Sequence, residues 1–203
     1  LFRSLALGWA EAFILRDGSA SRTLGGGRVL DLRPPARRRA VPERHAALTA
    51  MAAPAPAQAL AALLEIAPFY VDLDSFLRDR AIAPAQAARV IGEAVLLGPA
   101  DGRIAVSPQQ MQALQGQMHA RLSDYHADNP DLQGIGIEAL RLSLQPRLPK
   151  PGFAALLRAD AAAGQIAVEA GFVRLPDHAP KMSAEDEALY ARILPHLQGD
   201  ERF

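Results

Sequence analysis

Cysteine is absent from all 203 residues. That excludes a disulfide framework, a thiol nucleophile and any cysteine-based zinc site. Aromatic residues are scarce, at 5%, and Tyr125, Phe153 and Phe172 fall at core-like spacings, so no surface for stacking bases is expected. Net charge is missing too. The 22 Lys+Arg are matched by 22 Asp+Glu, so no overall field draws the chain toward nucleic acid or an anionic membrane. No apolar run approaches the roughly 18–20 residues a membrane span needs, and no charged segment leads into a short apolar one at the start, as a secretory signal would. The phosphate-binding pattern GxxxxGK[ST], the zinc pattern HExxH and the nucleophile elbow GxSxG are all absent. No catalytic residue, cofactor site or metal site is therefore expected. His119 and His126 are read as surface histidines on one helix face. The chain opens on Leu1 and reads as a monomeric, soluble, cytoplasmic piece of a longer protein.

The neutrality is a cancellation. Residues 1–45 carry nine Arg against four acids, whereas residues 46–203 carry 13 bases against 18 acids. A basic beginning and an acidic remainder indicate more than one module. Phe13–Arg16 and Thr23–Asp31 read as strands around the turn Asp17-Gly18-Ser19. Gly25-Gly26-Gly27 within the second strand predicts a β-bulge rather than a phosphate cradle, since no Lys-Ser/Thr and helix follow. Two strands cannot make a stable sheet, so they are expected to close a barrel. The stretch from Arg33 to Pro42 holds three prolines and four arginines and predicts an extended, solvated connector.

Helical periodicity begins after it. Short helices are expected around Ala46–Ala52 and Gln58–Ala67. A third begins near Asp72 or Asp74, either of which can cap it, and Pro84 suits the first position of a fourth, through Glu93. Val95–Leu97 and Ile104–Val106 flank Gly98-Pro99-Ala100-Asp101-Gly102 as a hairpin. The order then repeats. A long helix from Ser107-Pro108 to about Asp128 carries Met111, Leu114, Met118, Leu122 and Tyr125 as one stripe. Helices around Gly136–Gln145 and Pro151–Ala163 follow, then a hairpin at Gln165–Val168 and Gly171–Leu175, with Phe172 in the place of Ile104. Helices closed by a hairpin are the winged-helix arrangement, the hairpin being the wing. A last helix, capped by Ser183, aligns Leu189, Ile193 and Leu197. The fold class expected is mostly α with small hairpins: tandem winged helices preceded by the last strands of a β-barrel.

The segment Phe13-Ile14-Leu15-Arg16-Asp17-Gly18-Ser19-Ala20-Ser21-Arg22-Thr23-Leu24-Gly25-Gly26-Gly27-Arg28-Val29-Leu30-Asp31 resembles the end of the third domain of bacterial selenocysteine-specific elongation factors. Pro146-Arg147-Leu148-Pro149, Phe172–Pro176 and Ser183–Leu189 resemble their C-terminal extension. The resemblance implies a GTP-binding translation factor that delivers selenocysteinyl-tRNA to the ribosome at recoded UGA codons. GTP and Mg would be held by a G domain outside this chain. Two barrels would handle tRNA, and four winged helices would follow, the last two reading an mRNA hairpin. On that pattern residues 1–33 end barrel domain III and 34–42 form a basic linker. Residues 43–106 and 107–180 are winged helices one and two, and 181–203 open a third.

The RNA-contact candidates are Arg33, Arg37, Arg38, Arg39 and Arg44, because guanidinium groups clustered on a connector suit phosphates. Arg89 and Arg103 in module one, and Lys150, Arg158 and Arg174 in module two, occupy recognition-helix or wing positions but lie beside acids, a poor phosphate track. Both modules therefore read as spacers between RNA-binding ends. The competing reading is a tandem winged-helix DNA-binding regulator, which would call for a basic third helix.

Overall fold

The computed structural model describes residues 7–37, 40–182 and 184–197. It divides into two compact units, one of residues 1–113 with 145–155, the other of residues 114–144 with 156–203.

The first unit opens with β1 (Ala12–Arg16) and β2 (Thr23–Arg28), paired antiparallel. Asp17 organises the turn, accepting from the Ser21 and Arg22 amides at 2.8 and 3.1 Å and from the Ser21 hydroxyl. These bonds, that from Arg22 first, hold its carboxyl below the usual range. The irregularity in the ladder falls at Leu24, because Leu15 faces Gly25 while Arg16 faces Thr23. The three glycines themselves stay in register. Their role is close approach: a Cβ on Gly27 would stand 2.9 Å from Phe13 Cζ, and one on Gly26 would stand 2.8 Å from the Phe13 carbonyl oxygen. Every residue of the ribbon is exposed, Ile14 and Leu24 at 73% and 65%.

Beyond the ribbon come α1 (Pro42–Met51) and α2 (Pro56–Leu64). Both start on proline, whose fixed φ and missing N–H fit the first turn. Pro42 thus begins a helix, where the end of the connector was expected. A two-residue strand β3 (Val71–Asp72) leads into α3 (Leu73–Asp79), followed by α4 (Pro84–Ile91), β4 (Val95–Leu97) and β5 (Ile104–Val106). Asp72 is the N-cap, accepting from the Ser75 amide at 2.9 Å. Asp74 is committed elsewhere: its carboxylate takes the Arg103 guanidinium and backbone amide, which lower its pKa. The sheet order is β3-β5-β4. Its third strand escaped the sequence because two residues show no periodicity. Leu60, Leu63, Leu64, Leu73, Phe76 and Val90 form the core with Ala59 and Ala105. A fully buried leucine of this kind contributes roughly 1.5–3 kcal/mol.

The second pattern begins with α5 (Pro108–Asp128), started by Ser107, whose hydroxyl accepts from the Gln110 amide at 3.2 Å. Then follow β6 (Ile135–Gly136), α6 (Ile137–Ser143), α7 (Lys150–Ala162), β7 (Ala167–Glu169), β8 (Phe172–Arg174) and α8 (Ala184–Leu197). The order β6-β8-β7 repeats that of the first sheet. The repeat is exact in register: Ile104 faces Asp72 and Leu97, and Phe172 faces Gly136 and Glu169. Burial is not repeated. Ile104 is buried under Gly152, where a Cβ would come within 2.8 Å of its Cδ1, but Phe172 is 41% exposed, so it is not the core residue its spacing implied.

Within the second unit, Leu114, Met118 and Leu122 of α5 are buried with Ile135, Leu140, Leu156, Ile166 and Val173. The stripe continues to His126, 8% exposed, rather than to the half-buried Tyr125. His126 is therefore an interior residue; His119 is exposed. On α8, Leu189 and Ile193 are exposed at 49% and 41%. The expected cap Ser183 lies outside the described residues, as does the Leu197 side chain.

Candidate nucleic-acid interface

The arginines around the connector divide sharply. Arg33 Nε and Nη2 donate to the Asp79 carboxylate at 3.0 and 2.7 Å, a two-pronged pair with the end of α3. Arg44 Nη2 meets Asp31 at 2.6 Å, with side chains only 14% and 10% exposed. Asp31 also accepts from the Arg33 amide at 2.7 Å. Two guanidinium groups thus fasten Asp31 and Arg33, at the start of the connector, to α1 and α3, while residues 33–37 are exposed. Arg37 is exposed and makes no ion pair with any described residue. Arg38 and Arg39 lie outside the described residues.

The remaining candidates are scattered. Arg103 is bound by Asp74 at 2.6 Å. Arg89 on α4 is exposed beside Glu93. In the second unit Arg158 is exposed on α7, whereas Arg174 Nη1 donates to the carbonyls of Pro176 and His178 at 3.2 and 3.0 Å, with Glu169 3.7 Å from Nη2. Lys150 is exposed at the start of α7 and is not without a partner. Nothing in either unit gathers these bases into a continuous track among the described residues. Nor do three His, Asp or Glu side chains converge as metal ligands there.

Sequence reasoning missed the contacts that organise the first unit. The Arg80 guanidinium lies 4.1 Å from the Trp9 ring centroid and 5.2 Å from that of Phe76. Its Nη2 and Nη1 donate to the carbonyls of Met51 and Ala53 at 2.5 and 3.1 Å, closing the end of α1 with a positive charge. Trp9 Nε1 donates to the same Met51 carbonyl at 3.3 Å. Around these groups runs a cleft of about 240 Å³, lined also by Leu30, Leu32, Pro35 and Leu63. A lone tryptophan near a connector was the only available signal, and its partner is 71 positions away in the sequence.

The second unit also buries a carboxyl. Asp160 is 2% exposed and accepts from Gln115 Nε2 at 2.6 Å. Burial pushes its pKa up, against the smaller opposing effect of that bond. A raised acid pKa favours the fold while the group is protonated, and costs stability as pH climbs past the unfolded value of 3.8. Asp160→Asn keeps an acceptor for Gln115 without the charge. It is expected to stabilise the protein by about 1 kcal/mol near pH 7 and by less near pH 3. Urea unfolding at both pH values measures this, and an equal gain at both would dismiss the charge as the cause.

Comparison with known proteins gives three findings. Residues 3–36 match the family model for the beta-barrel domain of the selenocysteine-specific elongation factor. Residues 119–175 match that for the winged helix of elongation factor SelB. The selenocysteine-specific elongation factor of Escherichia coli K12 is 31% identical over 204 residues, covering 94% of this chain and 30% of the relative. The chain spans about 30% of the length of that curated relative.

Proposed function

Since the chain belongs to the SelB family of selenocysteine-specific elongation factors, we propose that it is a spacer arm between the parts of such a factor that hold tRNA and mRNA. In this reading the whole protein carries selenocysteinyl-tRNA to the ribosome at recoded UGA codons in the cytoplasm. GTP hydrolysis belongs to a G domain, since this chain contains no phosphate-binding loop motif. Linking two RNA-binding ends raises the effective concentration of one site for the other, provided the connection has a fixed reach.

The observation that carries the proposal is the joint at residues 30–33. A barrel tail that merely preceded a winged helix could hang on a loose proline-rich tether. Here Asp31–Arg44, Arg33–Asp79 and the Trp9–Arg80 stack tie it to α1 and α3 at once. The same pairs consume the cations that a phosphate track would need. The match at residues 3–36 separates this reading from a tandem winged-helix DNA regulator, for which a translation-factor barrel has no use. The RNA contact that remains proposed is a local one, from Arg37, Arg38 and Arg39.

Fluorescence-anisotropy titration against a selenocysteine-specifying mRNA hairpin and an unrelated hairpin tests both halves of the proposal. The chain should bind the two alike, weakly and with strong salt dependence. Replacing Arg37, Arg38 and Arg39 together with Ala should reduce the slope of log affinity against log salt by about 2–3. Submicromolar preference for the cognate hairpin would overturn the spacer assignment, and an unchanged slope would remove the three arginines.

A further inference from the structure

The segment leaving the second wing is fastened to the far end of α5 by one histidine pair. The His126 and His178 rings stack with centroids 3.6 Å apart and planes 8° from parallel. The Leu175 amide donates to His126 Nε2 at 3.2 Å. His178 Nε2 lies 2.8 Å from the Leu132 carbonyl, and the Lys181 amide donates to that of Pro130 at 3.0 Å. Arg174 adds its bonds to the carbonyls of Pro176 and His178. Residues 174–181 are thus held to the α5–β6 connection through His126 at the centre.

A backbone N–H aimed at Nε2 requires the lone pair of that nitrogen. Neutral His126 therefore carries its proton on Nδ1, a buried atom with no hydrogen-bond partner. Protonation would place a second N–H against the Leu175 amide and convert an acceptor into a repelling donor. The ionisable groups acting on the ring are His178, stacked upon it, and Arg174, itself 3.7 Å from Glu169; both disfavour a positive charge on His126. Tyr125, from the same helix, meets the ring edge-on. The C-terminal end of α5 favours a cation by its dipole, but burial, the largest influence, together with the electrostatic effects of His178 and Arg174, outweighs it, so the pKa is lowered.

We propose that His126 and His178 form a proton-sensitive latch, closed while His126 is neutral, that fixes the exit of the chain from the second wing and releases residues 175–181 when His126 is protonated. The sign follows from the linkage. A histidine whose folded pKa lies below the unfolded 6.5 contributes stability above that value and loses it as pH falls. The latch does not depend on the RNA-binding role of the chain.

Amide exchange followed by NMR on the full chain tests it, with the His126 ring titration recorded in parallel. Leu175 protection should fall by several-fold, up to about tenfold, beyond the intrinsic pH effect, between about pH 7.5 and pH 5.5, while the amides of α5 keep theirs. In His126→Gln, the side-chain oxygen can accept at every pH and protection should lose its pH dependence. Unchanged Leu175 protection in the natural chain, or loss of protection in α5 together with Leu175, would overturn the latch. Should His126→Gln fail to fold, the natural chain alone decides.

Discussion

Arg80→Ala should destabilise the first unit by about 3 kcal/mol, more than a typical exposed substitution and comparable with loss of a core leucine. The side chain does three things at once. It donates to two carbonyls, one on the last residue of α1 and one just beyond it, each a charge-assisted bond worth roughly 1.5–3 kcal/mol. It stacks on Trp9 with a contribution of about 0.5–2 kcal/mol. It also covers Phe76 with its planar group. These contributions overlap, so their sum exceeds what one deletion can show. Burial lowers the Arg80 pKa, yet a guanidinium stays charged throughout the working range. Arg80→Lys should recover little, because an ammonium is a point charge without the flat fork that reaches two carbonyls while lying on an indole. Urea unfolding monitored by fluorescence of Trp9, the single tryptophan of the chain, provides the measurement. A loss below about 0.5 kcal/mol would show that the stack contributes no net stability.

Arg44→Ala should cost about 3 kcal/mol, a large figure for an ion pair. An exposed pair contributes little because water competes with it and salt screens it. Here Arg44 and Asp31 are 14% and 10% exposed and 2.6 Å apart. Removing one partner leaves a largely desolvated carboxylate whose remaining hydrogen bond among the described residues is that from the Arg33 amide. Asp31→Asn should cost less, since it deletes the charge that would be stranded. The double variant should then be milder than the sum of the single ones, a coupling of about 1–2 kcal/mol in a double-mutant cycle. Strict additivity would mean that the two side chains do not act as a pair. Raising the salt concentration should leave the coupling nearly intact, in contrast to the screening of an exposed pair.

These two predictions concern side chains that the sequence presented in opposite lights. Arg44 looked like part of a basic cluster available to RNA, and Arg80 drew no attention. The reason is physical. A run such as Arg33-Pro34-Pro35-Ala36-Arg37 reports local chain stiffness and local charge, and both readings hold for an isolated peptide. Whether an arginine faces solvent depends on what arrives from elsewhere: Asp79 lies 46 positions from Arg33, and Met51 lies 29 from Arg80. The buried histidine is the same case. His126 continues the spacing of Leu114, Met118 and Leu122, a legible signal, but its polarity argued for the surface. Only Leu175, 49 positions on, supplies the donor that makes an interior imidazole tolerable. Phe172 failed in the other direction. Its place in the repeat was right, but no counterpart of Gly152 covers it among the described residues.

By itself the sequence determined what short-range physics decides. Proline at the first helical position, paired short strands around glycine turns and a 3.6-residue apolar period located most elements, and their repetition disclosed tandem winged helices. The phrase from Phe13 to Asp31 was distinctive enough to carry the resemblance, and it lies within the stretch that matches the barrel model of selenocysteine-specific elongation factors. The tertiary structure decided how the charges are used. Summed along the chain they cancel, and split by region they suggested a basic arm. In the fold, Arg33, Arg44, Arg80 and Arg103 are engaged by carboxylates, carbonyls and rings, Arg33 at the surface and Arg44 largely buried. A charge count is a property of composition, whereas a free charge is a property of distance, and distance is set only when remote segments pack.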